Sequence, residues 1–130
     1  MVQNRLERGL EMMDRVVGPS AHHVQDSLAD IAPDLGRLLA EYFGDIYGRS
    51  GLDRKSREIV TVAALTALGK LPQLKVHIKA AIHVGCTEEE IIELLMQMVL
   101  YAGFPASLNG VAIAKEVFCE INQEGEGTNA

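Results

Sequence analysis

Tryptophan is absent from the chain and cysteine nearly so, with two in 130 residues. Cys86 and Cys119 lie far apart and form no C-x-x-C, which argues against a redox pair or zinc knuckle. Two reduced thiols packed as small hydrophobes are the expectation. Positive charge is also scarce. Twelve Lys and Arg against 18 Asp and Glu give a net charge of −6, too little cation to neutralise a phosphate backbone, so no nucleic-acid partner is expected. The same scarcity makes any local cluster of cations informative. No apolar run approaches the roughly 20 residues of a membrane span, and no charged-then-apolar leader opens the chain. The expectations are no membrane partner and a cytoplasmic location. A Gly-rich phosphate loop, a nucleophile elbow and H-E-x-x-H or other metal spacings are missing too, so neither metal nor cofactor is expected. Period-two alternation is lacking as well; apolar residues recur at three and four, which predicts an all-α protein.

The length fits one domain, predicted over 1–121, with a polar, Gly-rich and disordered tail over 122–130. Val2, Leu6, Leu10, Met13 and Val17 stripe a first helix that ends at Gly18-Pro19. A short second helix starts from Ser20. Pro33 opens a third, striped by Leu35, Leu38, Leu39, Tyr42, Phe43 and Ile46. Asp53 caps the fourth, which from Ile59 to Leu68 has almost no polar face and is expected to be buried on all sides. Gly69 ends it, Pro72 opens the fifth and Gly85 closes that one. Thr87-Glu88-Glu89-Glu90 is a capping box for the sixth, apolar nearly all round from Leu94 to Tyr101. Gly103-Phe104-Pro105 separates it from a seventh. Two such apolar helices are hard to bury in one small subunit. That predicts a homo-oligomer with the fourth and sixth helices near its interface.

Ionisable residues on apolar stripes stand out between Leu52 and Gly85. Arg54, Lys55 and Arg57 crowd the first turn of the fourth helix, against its dipole. They serve either as ion-pair partners for surface acids or as an anion site where helix N–H groups and guanidinium forks converge. Glu58 follows at the entry of the apolar helix. It is either a first-turn acid serving the dipole or a proton-transfer group. His77 lies on the core-facing stripe of the fifth helix, as a core histidine with a hydrogen-bond partner or as a reactive imidazole. Glu58 stands about 16 Å along its helix from Gly69 and His77 about 7.5 Å beyond Pro72. A simple antiparallel hairpin leaves that pair offset, so a crossing angle, a water or a neighbouring subunit must close the gap. Cys86 precedes a helix N-terminus, where a thiol can become reactive. His22-His23 and Tyr101 are further candidates.

These residues resemble the carboxymuconolactone decarboxylase family, of AhpD-like fold. The resemblance is carried by Leu52 to Arg57 (L-D-R-x-x-R), Leu74 to Ala81 (L-x-x-H-x-x-A-A), Gly85 to Ile91 (G-x-T-x-E-E-I) and Tyr101 to Ala106 (Y-A-G-x-P-A). Upstream, Arg5 with Gly9, Val17-Gly18, His23-Val24 with Ser27, and Gly44-Asp45-Ile46 extend it over nearly the whole chain. It implies an AhpD-like bundle of about six to seven helices around a central helical hairpin, commonly assembled as a homo-hexamer. It implies a cofactor-free decarboxylation of a small carboxylated lactone, 4-carboxymuconolactone or a relative, in aromatic catabolism. His77 is then the proton donor with Glu58 beside it, and Arg54 and Arg57 meet the anionic substrate with His23 and Tyr101. Phe43 and Tyr47 stand where those decarboxylases carry tryptophan, and Leu108 and Ala112 where they carry Asn and His. Glu58 and His77 also keep the outer spacing of the AhpD-like alkylhydroperoxidases. Lys70 and Gln73 occupy the cysteine places of that branch, so its disulfide exchange cannot run in the same way. Peroxidase activity, the family-level peroxiredoxin label, is disfavoured and stands as an alternative, an AhpD-like redox protein lacking the C-x-x-C pair. The alternatives are a redox protein using Cys86 and a non-catalytic oligomeric binding protein of the same fold.

Overall fold

The computed structural model describes residues 2–128, which are helical with no strand among them. In chain order the helices are α1 (Arg5–Val17), α2 (Pro19–Ala29), α3 (Pro33–Tyr47), α4 (Arg54–Leu68), α5 (Leu71–His83), α6 (Glu88–Gln97), α7 (Val99–Ala102) and α8 (Phe104–Thr128). Of these α7 is a single turn continuing α6, which leaves the seven longer helices expected of an all-α bundle. Contacts divide the chain after Arg57 into two compact units, so α4 begins in the first and continues through the second.

In the first unit α1 packs on α3, and α2 lies against both. Asn4 starts α1 by accepting a hydrogen bond from the Glu7 N–H at 2.8 Å, and the Glu7 carboxylate returns to the Asn4 N–H. Val2 therefore lies outside the helix. The apolar stripe expected to bury α3 does not bury it: Leu35, Leu38, Leu39, Tyr42 and Ile46 are exposed, while Gly36, Ala40 and Glu41 are buried. The cause is a backbone approach. A Cβ on Gly44 would lie 2.6 Å from the Gly9 Cα, and one on Gly9 would collide with the Ala40 carbonyl. Small residues let the two helices touch. Buried Glu41 is answered by Arg5 and Arg37, each with Nη1 3.2 Å from a carboxylate oxygen. Arg5 also donates from Nε to Asp45 at 2.8 Å, which holds the Asp45 carboxyl below the usual range.

The second unit is built round Val62, Leu74, Ile78, Ile91, Leu95, Ala114 and Val117, with α5, α6 and α7 laid on α8. Gly69 (φ +70°) and Gly85 (φ +112°) end α4 and α5, as their positions predict. The α6 capping box forms, with Thr87 Oγ1 accepting from the Glu90 N–H at 3.0 Å. Burial of α4 on all sides does not occur within one chain. Glu58, Val62 and Thr66 face the core while Val60 and Leu68 are exposed, because the core reaches the helix from one side only. Past Leu95 the α6–α7 run likewise exposes Met96, Leu100 and Tyr101. Helix α8 continues over 122–128, where composition predicts a disordered tail; 129–130 lie outside the described residues. Lys75 and Lys79 of α5 hold Glu120 of α8 at 2.9 and 2.7 Å, Lys79 chiefly bringing its carboxyl down to about 2. That clasp anchors the helix just ahead of the polar segment.

Candidate active site

Glu58 enters the core one turn into α4, on the same face as Val62 and Thr66. Its side chain is 0% exposed, and Oε2 lies 2.8 Å from Nδ1 of His77, whose side chain is 19% exposed. A carboxylate stripped of water needs such a partner, since an unanswered buried charge is costly. The contact is direct and formed within one chain. It needs neither the water nor the second subunit that axis arithmetic invokes. With Nδ1 held by the acid, Nε2 is the ring nitrogen not engaged by it.

The other candidates are placed less simply. Arg57 Nε donates to the Leu52 carbonyl at 3.0 Å and Nη2 to the Arg49 carbonyl at 3.2 Å, with the guanidinium 5.8 Å above the Tyr47 ring. It thus clasps the α3–α4 loop. Arg54 is exposed at the start of α4, whose cap is the Asp53 carboxylate, 2.7 Å from the Ser56 N–H. His23 is exposed on α2, and its neighbour His22 lies 3.4 Å from Asp14. Tyr101 stands exposed on α7. Cys86 is buried and Cys119 exposed, and neither is in a disulfide. Among the described residues no cluster of His, Cys, Asp and Glu is set to hold a metal ion. The clasp made by Arg57 and the two arginines on Glu41 have no expectation in sequence. Helical register gives the face of a side chain but not the carbonyl or acid at its far end.

Fold and pair together define an all-α protein with a carboxylate–imidazole dyad whose acid is buried. Residues 33–116 match the model of the Carboxymuconolactone decarboxylase family, from the start of α3 to about the middle of α8. The chain is 35% identical over 131 residues to 4-carboxymuconolactone decarboxylase of Acinetobacter baylyi, covering 98% of this chain and 96% of that one. It is 33% identical over 128 residues to an uncharacterized 15.0 kDa protein of Paracoccus denitrificans, covering 95% of each. It is 26% identical over 124 residues to nitrosuccinic acid decarboxylase of Metarhizium robertsii, covering 92% of this chain and 85% of that one. The chain belongs to the carboxymuconolactone decarboxylase family.

Proposed function

We propose that the chain is a carboxy-lyase that removes CO₂ from a small carboxylated lactone, 4-carboxymuconolactone or a relative, without a cofactor. The observation that carries this reading is the buried Glu58 holding His77 Nδ1 at 2.8 Å. Support comes from two similar proteins that are decarboxylases by name. In the reaction the bond from carbon to the departing carboxylate breaks, and its electron pair spreads through the conjugated system onto the lactone oxygen. The resulting dienolate needs charge stabilisation and one proton delivered to carbon. His77 supplies the proton from Nε2, and Glu58 fixes the ring and stabilises the imidazolium from which that proton leaves. Arg54, one helical turn before Glu58 on α4, and Arg57 are the proposed cations for the substrate's remaining carboxylate, with His23 and Tyr101 as further contacts. Purified protein incubated with 4-carboxymuconolactone is expected to consume the lactone and release CO₂ in equal amounts. No lactone loss with this substrate or a close carboxylated lactone would sink the reading.

Self-association, as a hexamer, and a cytoplasmic location belong to the same proposal. Helix α3 presents Leu35, Leu38, Leu39, Tyr42 and Ile46, each 38% to 62% exposed. The second unit presents Leu100, Tyr101, Phe104 and Leu108, all more than half exposed. Apolar areas of that kind on a small soluble protein mark association surfaces. No described helix is long and apolar enough to cross a membrane. Light scattering is expected to give a mass several times 14.1 kDa, lowered by Leu39→Glu together with Ile46→Glu. A wild-type monomer would contradict it.

A further inference from the structure

The first unit carries an open cleft of about 550 Å³ that the reaction above does not use. It runs along α1 and the end of α3, and its charged lining is Arg8, Arg15, Arg49, Glu11 and Asp45, with Gly44 and Gly48 leaving side chains out of its wall. In a chain of net charge −6, three guanidiniums on one cleft concentrate the scarcer sign. Both acids there are already committed. Glu11 lies 2.6 Å from Arg15 Nη2 and accepts from Gln3 Nε2 at 2.6 Å, while Asp45 lies 2.7 Å from Arg5, which is not part of the lining. The Gln3 hydrogen bond first, then Arg15, holds the Glu11 carboxyl below its usual range, so the acid stays ionised and occupied.

The cations are not balanced in return. Arg8 has a long 3.4 Å contact to the Gln3 carbonyl, and the Arg49 side chain forms no ion pair among the described residues. With Glu11 paired to Arg15 and Asp45 to Arg5, Arg8 acts on Asp45 only through space and neither Arg8 nor Arg49 has a close ion pair among the described residues, so two guanidinium forks stay open over a concave surface. Guanidinium forks match the paired oxygens of carboxylate and phosphate, and the volume is that of a small-molecule site. We propose that this cleft binds a small dianion, a dicarboxylate or a phosphate, with Arg8 and Arg49 as its two forks. Arg15, steadied by Glu11, adds field rather than direct contact.

Titration calorimetry on the full chain at neutral pH and low salt tests this, with succinate and inorganic phosphate as separate probes. Saturable binding of either is expected: heat with succinate alone names a dicarboxylate, with phosphate alone a phosphate, with both the shared chemistry. Arg8→Gln with Arg49→Gln should weaken it roughly tenfold or more. Lys115→Gln, an exposed charge on α8, should leave it unchanged. Arg49→Lys, which keeps charge but loses the fork, should recover only part of the affinity. No saturable heat at millimolar anion overturns the proposal, as does equal binding by the double variant or equal weakening by Lys115→Gln. Because the readout is heat of binding, it stands apart from whether any lactone is turned over.

Discussion

Turnover of the lactone is expected to fall by roughly a hundredfold to ten-thousandfold in His77→Gln, the range a positioned proton donor contributes. Glu58 separates chemistry from stability. Glu58→Gln keeps the volume and an oxygen that can accept from Nδ1–H, but removes the negative charge that stabilises the imidazolium. It should cost turnover on a similar scale while leaving the fold nearly as stable. Glu58→Ala should add a structural loss of roughly 2–4 kcal/mol, because it opens a cavity and strands the imidazole N–H in the core. Steady-state rates and urea unfolding curves on the three variants check this. Wild-type rates in both His77→Gln and Glu58→Gln would leave the pair as packing and nothing more.

The second large effect is structural. Gly9→Ala should destabilise the chain toward the upper end of roughly 1–3 kcal/mol, the range for overpacking a filled contact. The new Cβ meets the backbone carbonyl of Ala40, which cannot turn aside as a flexible side chain would. The loss should show as a lower urea midpoint and as faster amide exchange in α1 and α3. Gly51→Ala is the control, since a Cβ there meets nothing within 4 Å. Equal stability of the two variants would mean that α1 and α3 do not touch as closely as described.

Much of the fold was legible because local rules decided it. Pro33, Asp53, Gly69, Gly85 and the Thr87 box mark helix ends through backbone geometry that neighbours do not override. The inward face of α3 was not legible. Its leucines announce a side that wants cover, yet Ala40 and Gly44 take the contact with Gly9 of α1, because only small residues admit a backbone at that distance. Periodicity weighs hydrophobicity and is blind to how near two axes can come. In the site, Glu58 and His77 were readable as ionisable residues on apolar stripes, but their 2.8 Å contact was not, since rise per residue assumes axes lying side by side. The cleft arginines were unread for a similar reason. Arg8, Arg15 and Arg49 converge only once α1 and α3 are packed.

That both members of the dyad come from one chain has a consequence for any assembly built from it. Each copy carries the Glu58–His77 contact whole, so no neighbour is needed to form it. A disabled copy mixed into an active complex should then silence only its own site.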